Sequence, residues 1–180
     1  KIFFINQSTE REHTEKSEPL YGLKNFIKKN KRLFRLIYML QPAQAIGRGP
    51  AMVEEKVKPS MIFLNLGSGV PIYDKAGPNE LIHVDLYPYP GVDLVCNVEK
   101  LPFPSESVDG ICNESLLEHL NDVDPFLNET YRVLKQEAKA YMVIPQIAPF
   151  HAAPHDYRRV TIPGGKKLFH RFNVIDAGVR

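Results

Sequence analysis

The chain has 180 residues, of which 43% are hydrophobic and 24% charged, and a net charge of +2. That is the composition of an ordinary globular domain and excludes a disordered, collagen-like or low-complexity polymer. Its longest uninterrupted apolar run, Leu36–Leu40, is far short of the ~20 residues of a membrane-spanning helix.

The charge is unevenly spread: residues 1–60 carry 12 Lys/Arg against 6 Asp/Glu, and residues 61–180 carry 11 against 15. Two pieces are therefore expected, an N-terminal extension over 1–57 and a folded domain over 58–180. The sequence begins at Lys1 rather than Met, as a fragment would. Cys96 and Cys112 are too few for a disulfide framework and stand in apolar, strand-like stretches. They read as buried free thiols in a reducing, cytoplasmic setting. Of three N-x-Ser/Thr triplets, those at Asn113 and Asn128 fall in predicted ordered elements, against use as glycosylation sites.

In chain order, residues 7–19 are polar without periodicity and read as a loop. Over 23–40, Leu23, Phe26, Ile27, Leu33, Phe34, Ile37 and Leu40 fall near helical spacing among Lys28, Lys29, Lys31, Arg32 and Arg35. This predicts a basic amphipathic helix, packed on the main domain or able to make peripheral contact with an anionic membrane. From residue 58 the pattern changes to short apolar runs. Met61–Leu66, Leu81–Leu86, Asp93–Cys96, Val108–Asn113 and Ala140–Ile144 read as buried strands, with Phe172–Ile175 a candidate sixth. Asp122–Lys135 is the clearest helix, capped by Asp122 or Asp124, with Pro125 in its first turn and Phe126, Leu127, Tyr131 and Leu134 as its stripe. Continuously apolar strands with a helix delivered between two of them imply an α/β fold, a Rossmann-like, doubly wound, mostly parallel sheet.

In such a sheet ligands bind at the carboxyl ends of the strands. The first strand ends in Gly67-Ser68-Gly69, a spacing that permits a tight turn and close approach of a ligand to the backbone. The second ends at Asp85, 18 residues after Gly67, where a carboxylate can accept from both hydroxyls of a ribose. Rossmann dehydrogenases and class I methyltransferases share this arrangement, so it leaves both open.

Later segments separate them. Asn97 through Phe103, Ser107-Val108-Asp109-Gly110-Ile111, Leu117-Glu118-His119-Leu120, Glu129-Thr130-Tyr131-Arg132-Val133-Leu134-Lys135 and the loop Pro145–Thr161 occur in the order of five soft motifs. Together these resemble class I S-adenosylmethionine-dependent methyltransferases of the type 11 subgroup over roughly residues 60–178. The resemblance implies S-adenosyl-L-methionine as cofactor. Gly67 and Gly69 would lie against its methionine portion with Asn65 nearby. Asp85 would hold the ribose hydroxyls and Leu86 would flank the adenine. Asn97 would bond the adenine amino group with Val98 beside it, and Glu114 would border the methyl group.

The chain departs from the family pattern in four places. Asn65 stands where the family usually has an acid, Asn97 where it has Asp, Pro71 where it has a third glycine, and Gln136-Glu137-Ala138 where Pro-Gly-Gly is common. An amide at residue 65 loses charge complementarity toward the cofactor's ammonium group. Only about 14 residues (67–80) join the first two strands, too few for a full crossover helix. The class I fold closes with a hairpin after its last helix, so the chain appears truncated before the final strand unless Lys1–Asn6 fills the edge.

A methyl on a sulfonium is already activated, so the protein mainly has to hold the nucleophile in line, with a general base optional. Candidate catalytic residues are His119, His151 and Asp156. The H-x-x-x-H-D run of His151, His155 and Asp156 suggests a metal site, but Pro149 and Pro154 oppose the helix that would align two histidines, so no metal is expected. Tyr157, Arg158 and Arg159 read equally as an anion receptor or as a solvated turn. The reading is a methyltransferase acting on a small-molecule or glycan-like acceptor, and the acidic core argues against nucleic acid. The alternatives are a non-catalytic binding protein of the same fold and a nicotinamide-dependent oxidoreductase.

Overall fold

Five short apolar runs line up as a single all-parallel sheet. The computed structural model describes residues 60–71, 80–151 and 155–178, together with Phe26, Ile27, Asn30, Arg32 and Leu33. The strands are β1 (Ile62–Leu66), β2 (Glu80–Asp85), β3 (Leu94–Val95), β4 (Val108–Glu114) and β5 (Leu134–Val143), in the order β3-β2-β1-β4-β5. Successive strands run outward from β1 to β3, then the chain returns to place β4 on the other side of β1. Helix α1 (Asp124–Val133) delivers the chain from β4 to β5, and a short helix α2 (Ile162–Leu168) follows.

Alternation along the strands sorts their side chains between two faces. Leu64, Leu66, Val84 and Ile111 form the main core with Phe126, Leu127 and Val133 of α1. Phe63 and Leu81 form a smaller cluster on which Met61 and Tyr141 pack. Phe63, Leu64, Leu66, Ile111 and Phe126 are fully buried, each contributing roughly 1.5–3 kcal/mol of transfer free energy. Cys112 is buried and Cys96 half-buried, both as free thiols. Asn113 is fully enclosed in β4, which bars a glycan there.

Several elements differ from expectation. The buried stripe of α1 is Phe126, Leu127, Thr130 and Val133. Tyr131 is 46% exposed and lies edge-on to Phe172, under the Arg171 guanidinium. The helix stops at Val133 because Leu134 already has extended backbone and starts β5. Val123 occupies the cap position, while Asp122 Oδ1 accepts from the Asp124 N–H at 3.0 Å. Phe172–Ile175 forms no strand: Phe172 is held by aromatic contacts with Tyr131 and Phe169. The expected helix over 23–40 lies outside the described residues except at Phe26–Ile27 and Arg32–Leu33, which are helical, and at Asn30, which is not and whose Oδ1 accepts from the Leu33 N–H. The 57/58 boundary, Lys1–Asn6 and residues 72–79 also lie outside them. No helix among the described residues is long and apolar enough to cross a membrane.

The E-x-x-R segment is a clamp. Glu129 Oε1 accepts from the Leu101 N–H at 2.7 Å, and both its oxygens accept from Arg132, which also donates to the Leu101 carbonyl. One turn of α1 thereby holds the chain that follows β3. The Arg132 bonds keep the Glu129 carboxyl below its ordinary titration range. A depressed folded-state value means stability present above the unfolded pKa of ~4.3 and lost as pH falls through the folded one. Glu129→Gln should therefore cost about 1–2 kcal/mol at pH 7, discounted for the partly exposed arginine. In urea denaturation this difference should shrink below about pH 4; a difference that stays constant to pH 3 would show that charge is not involved.

The register between β4 and β5 shifts between Val108 and Gly110, and in the bulged segment Glu137 has φ of +61°. A side chain in left-handed backbone costs roughly 1–2 kcal/mol, against roughly 0.5–1 kcal/mol of extra chain entropy for glycine. Glu137→Gly should raise the unfolding free energy by about 0.5–1 kcal/mol, and a loss of stability would mean that the Glu137 side chain is itself needed.

Candidate functional site

All strands point the same way, so their carboxyl ends share one edge, and the reversal of strand order lies between β1 and β4. The turn after β1 is left-handed twice, with φ of +66° at Gly67 and +54° at Gly69. A Cβ on Gly67 would stand 2.7 Å from Leu116 Cδ1, whereas one on Gly69 would meet nothing within 4 Å. Gly67 is thus required by packing, and Gly69 presents bare backbone to open space.

Asp85, only 8% exposed, anchors this turn. Its Oδ2 accepts from the Gly69 N–H at 2.8 Å and its Oδ1 from the Tyr87 N–H at 2.9 Å. Ser68 N–H donates to the Val84 carbonyl, extending the β1–β2 ladder into the turn. Leu86 follows, half-buried, and Glu114 closes β4, also half-buried. Asn97 sits in an Asx turn, its Oδ1 accepting from the Glu99 N–H at 2.9 Å and its Nδ2 donating to Glu99 Oε2. Val98 belongs to the core. Gly67, Gly69, Asp85, Leu86, Asn97 and Glu114 are therefore gathered at or just beyond the ends of β1 to β4. Asn65 is different: it is buried, and its Nδ2 donates to His83 Nδ1 at 3.2 Å across the β1–β2 register. The amide that replaces the expected acid is spent on a neighbour inside the sheet.

The loops after β4 and β5 bring a second group to the same edge. Leu117–His119 forms one 3-10 turn. Arg158 donates to the carbonyls of Leu117, Leu120 and Asn121, and the Tyr157 N–H to the Glu118 carbonyl. Arg159 grips both oxygens of Asp156 and reaches the carbonyls of Ala148 and Pro149. Both arginines are loop staples, a role that neither the anion receptor nor the solvated turn anticipates. Asp156 also accepts from the His151 N–H at 2.8 Å, and the Arg159 bonds hold its carboxyl well below the usual carboxylate range. It is a positioning group for His151 rather than a base.

Glu118, which sequence reasoning left inside a motif without a role, is fully buried between His119 and His151. Burial pushes its carboxyl up, against the pull of His119, His151 and Arg159. His119 is its neighbour in the chain, but His151 comes from a loop some thirty residues away, a separation at which no local spacing rule operates.

A strand order of 3-2-1-4-5 with a glycine turn and an acid at the next strand end is the core of the class I methyltransferase fold, shared with nucleotide-binding Rossmann domains. Residues 67–142 match the type 11 methyltransferase family model, described as a methyltransferase domain. Residues 67–142 are thus a type 11 methyltransferase domain, of a family whose cofactor is S-adenosylmethionine. Among solved structures it is similar to the Burkholderia thailandensis 1,6-didemethyltoxoflavin-N1-methyltransferase with bound 1,6-didemethyltoxoflavin and S-adenosylhomocysteine. That match has a TM-score of 0.59 and 18% identity, covering 82% of this chain and 74% of that one. It is similar also to a putative methyltransferase seen in complex with the Haloferax volcanii Trm112 methyltransferase activator, with a TM-score of 0.53, 20% identity, and 69% and 66% covered. A third is the Haemonchus contortus phosphoethanolamine N-methyltransferase 2 in complex with S-adenosyl-L-methionine, with a TM-score of 0.52, 13% identity, and 82% and 43% covered. Across the matching structures the chain spans between 40% and 77% of the relative's length. No curated protein matches the chain.

The two glycines should respond differently to a methyl group. Gly67→Ala combines left-handed strain with the Leu116 contact and should cost about 2–3 kcal/mol in urea denaturation. Gly69→Ala should cost only about 1 kcal/mol yet weaken S-adenosylhomocysteine binding at least tenfold in calorimetry. Unaltered binding in the Gly69 variant would move the cofactor away from this turn.

Proposed function

We propose that this protein transfers a methyl group from S-adenosylmethionine to a small-molecule or glycan-like acceptor. The observation that carries the reading is the Gly67–Gly69 turn bonded to a buried Asp85 at the reversal of strand order. The residues fit such a cofactor: Gly69 presents backbone with room beyond it, and a fixed carboxylate stands beside the turn at the end of β2. Gly67 and Gly69 would take the methionine portion, Asp85 and Leu86 the ribose and adenine, Asn97 and Val98 the far side of the adenine, and Glu114 the methyl-bearing end. When bound, the cofactor supplies a methyl group activated by its sulfonium charge.

What remains for the chain is to hold an acceptor in line and exclude water. The loops after β4 and β5 are built for holding, because Arg158 and Arg159 fix them through hydrogen bonds to backbone carbonyls and to Asp156. His119 and His151, which they carry, would border the acceptor. The excess of 15 Asp/Glu over 11 Lys/Arg in residues 61–180 supports a small or glycan-like acceptor over nucleic acid. Two free cysteines support a reducing, cytoplasmic setting.

The alternatives make different predictions for one experiment. Calorimetric titration of the folded chain should give saturable 1:1 binding of S-adenosylhomocysteine and none of NAD. Asp85→Ala should abolish that binding and, since two N–H groups lose their acceptor, lower stability by about 1–3 kcal/mol. Binding of NAD alone would restore the oxidoreductase reading. Binding of neither would leave a non-catalytic protein of methyltransferase fold.

A further inference from the structure

Glu118, His119 and His151 each offer one ligand atom, and these three atoms lie within 4.8 Å of one another. Glu118 Oε1 is 3.8 Å from His119 Nε2 and 3.6 Å from His151 Nε2. The two rings meet edge to face with centroids 5.1 Å apart.

The protons on these rings are already committed elsewhere. His119 Nδ1 lies 2.6 Å from the His155 carbonyl, and His151 Nδ1 lies 3.1 Å from the Pro149 carbonyl. A carbonyl only accepts, so each Nδ1 carries a hydrogen, that of His151 also lying 3.6 Å from Asp156 Oδ2, and the tautomer with its lone pair on Nε2 presents that pair toward Glu118. Glu118 is 0% exposed, and neither of its oxygens meets a hydrogen-bond donor at bonding geometry. In that tautomer three electron-pair donors converge on one buried place, an arrangement that a cation would complete. Histidines that bind metal are held in this way, with the other ring nitrogen donating to a backbone carbonyl or carboxylate.

We propose that Glu118, His119 and His151 form a mononuclear site for a borderline divalent transition ion, of which Zn²⁺ is the type. Two imidazoles and one carboxylate suit such an ion. Bonds of about 2.0–2.2 Å in a tetrahedral arrangement place ligand atoms about 3.3–3.5 Å apart, so the two Glu118 distances need to close by only a few tenths of an ångström. Three protein ligands leave one position for an outside ligand. The half-exposed His151 puts that position on the solvent side, whereas Glu118 lies at the bottom. The run His151-x-x-x-His155-Asp156 is not the donor set: His155 contributes a backbone carbonyl, and Asp156 stays with Arg159. Leu116 reaches Gly67 from the start of the same turn, placing the ion beside the glycine turn. The site rests on its own geometry, and its test does not use methyl transfer.

The full chain, stripped with a chelator and dialysed, is titrated calorimetrically with Zn²⁺ and, in parallel, with Co²⁺ followed by visible absorption. The expected result is one ion per chain, an intense tetrahedral Co²⁺ spectrum, and a rise in melting temperature on adding Zn²⁺. Glu118→Gln and His151→Ala, checked for folding by circular dichroism, should each weaken Zn²⁺ by more than the roughly 10–100-fold that an outer-shell partner costs. His155→Ala should leave the affinity within about twofold. Saturable binding that survives both Glu118→Gln and His151→Ala would place the ion elsewhere and overturn the proposal. So would ¹⁵N spectra in which both rings stay doubly protonated against Glu118 and ignore Zn²⁺, since a proton would then fill the gap. Because S-adenosylhomocysteine binding is read separately, loss of the metal result leaves the methyltransferase reading standing, and the reverse also holds.

Discussion

One carboxylate organises the edge of the sheet where ligands would bind. Asp85 ends β2, and its two oxygens reach in different directions, to the Gly69 N–H in the turn after β1 and to the Tyr87 N–H in its own following turn. Its backbone carbonyl accepts from the Cys96 N–H, carrying the pairing with β3 one residue further. Three loops that would otherwise be independent are referred to a single residue. Charge-assisted bonds from backbone N–H groups are among the stronger ones available, and burial shields these from competing water. The left-handed turn at Gly67 and Gly69 has conformational freedom to lose, and Asp85 is the group that removes it.

Much of this was legible in the sequence because it depends on local pattern. Apolar runs of four to six residues bounded by turn residues marked all five strands, and the 18-residue spacing from Gly67 to Asp85 marked the edge. What failed depended on context. β5 begins at Leu134, six residues before the expected Ala140, through a polar stretch that is largely exposed. A strand at the border of a sheet is solvated, so polar residues are admissible there and the apolar signal vanishes. Tyr131 was assigned to the buried stripe of α1 at helical spacing from Leu127 and Leu134; the helix ends before Leu134, and the stripe runs through Phe126, Thr130 and Val133 instead. Helix α2 contains Gly164 and Gly165, poor helix formers that hide a helix begun by Thr161 accepting from the Gly164 N–H.

The chemistry divides along the same line. Residues that act through the backbone of their own loop, such as Gly67, Gly69 and Asn97, can be read from sequence because the required turn is local. Residues that act on a distant loop cannot. Arg158 and Arg159 look like an exposed basic pair, yet their guanidinium groups are consumed by carbonyls of residues 117–121 and 148–149 and by Asp156. Glu118 looks like a solvated acid on a helix start, and only the fold shows it enclosed between two histidines. Asn65 shows the same dependence on context. Its position suggested cofactor contact, whereas its partner His83 lies across the sheet in register, a pairing visible only once β1 and β2 are aligned.

The two halves of the candidate site are joined by packing at one point. Leu116 leans over Gly67 so closely that a single Cβ there would collide with it, and the next residue opens the turn that carries Glu118 and His119. Arg158 pins that turn from the loop after β5 by taking the Leu117, Leu120 and Asn121 carbonyls. The position of the glycine turn is thus set from one side by Asp85 and from the other by a chain of contacts that runs through Leu116 to Arg158. Each link is short and leaves little freedom, because close-packed interiors respond to displacement by repacking rather than by yielding. The absence of glycine from positions 136–138 is consistent with this division of labour. That segment lies at the opposite end of β5, where a strained Glu137 is tolerated because nothing at the carboxyl edge depends on its backbone.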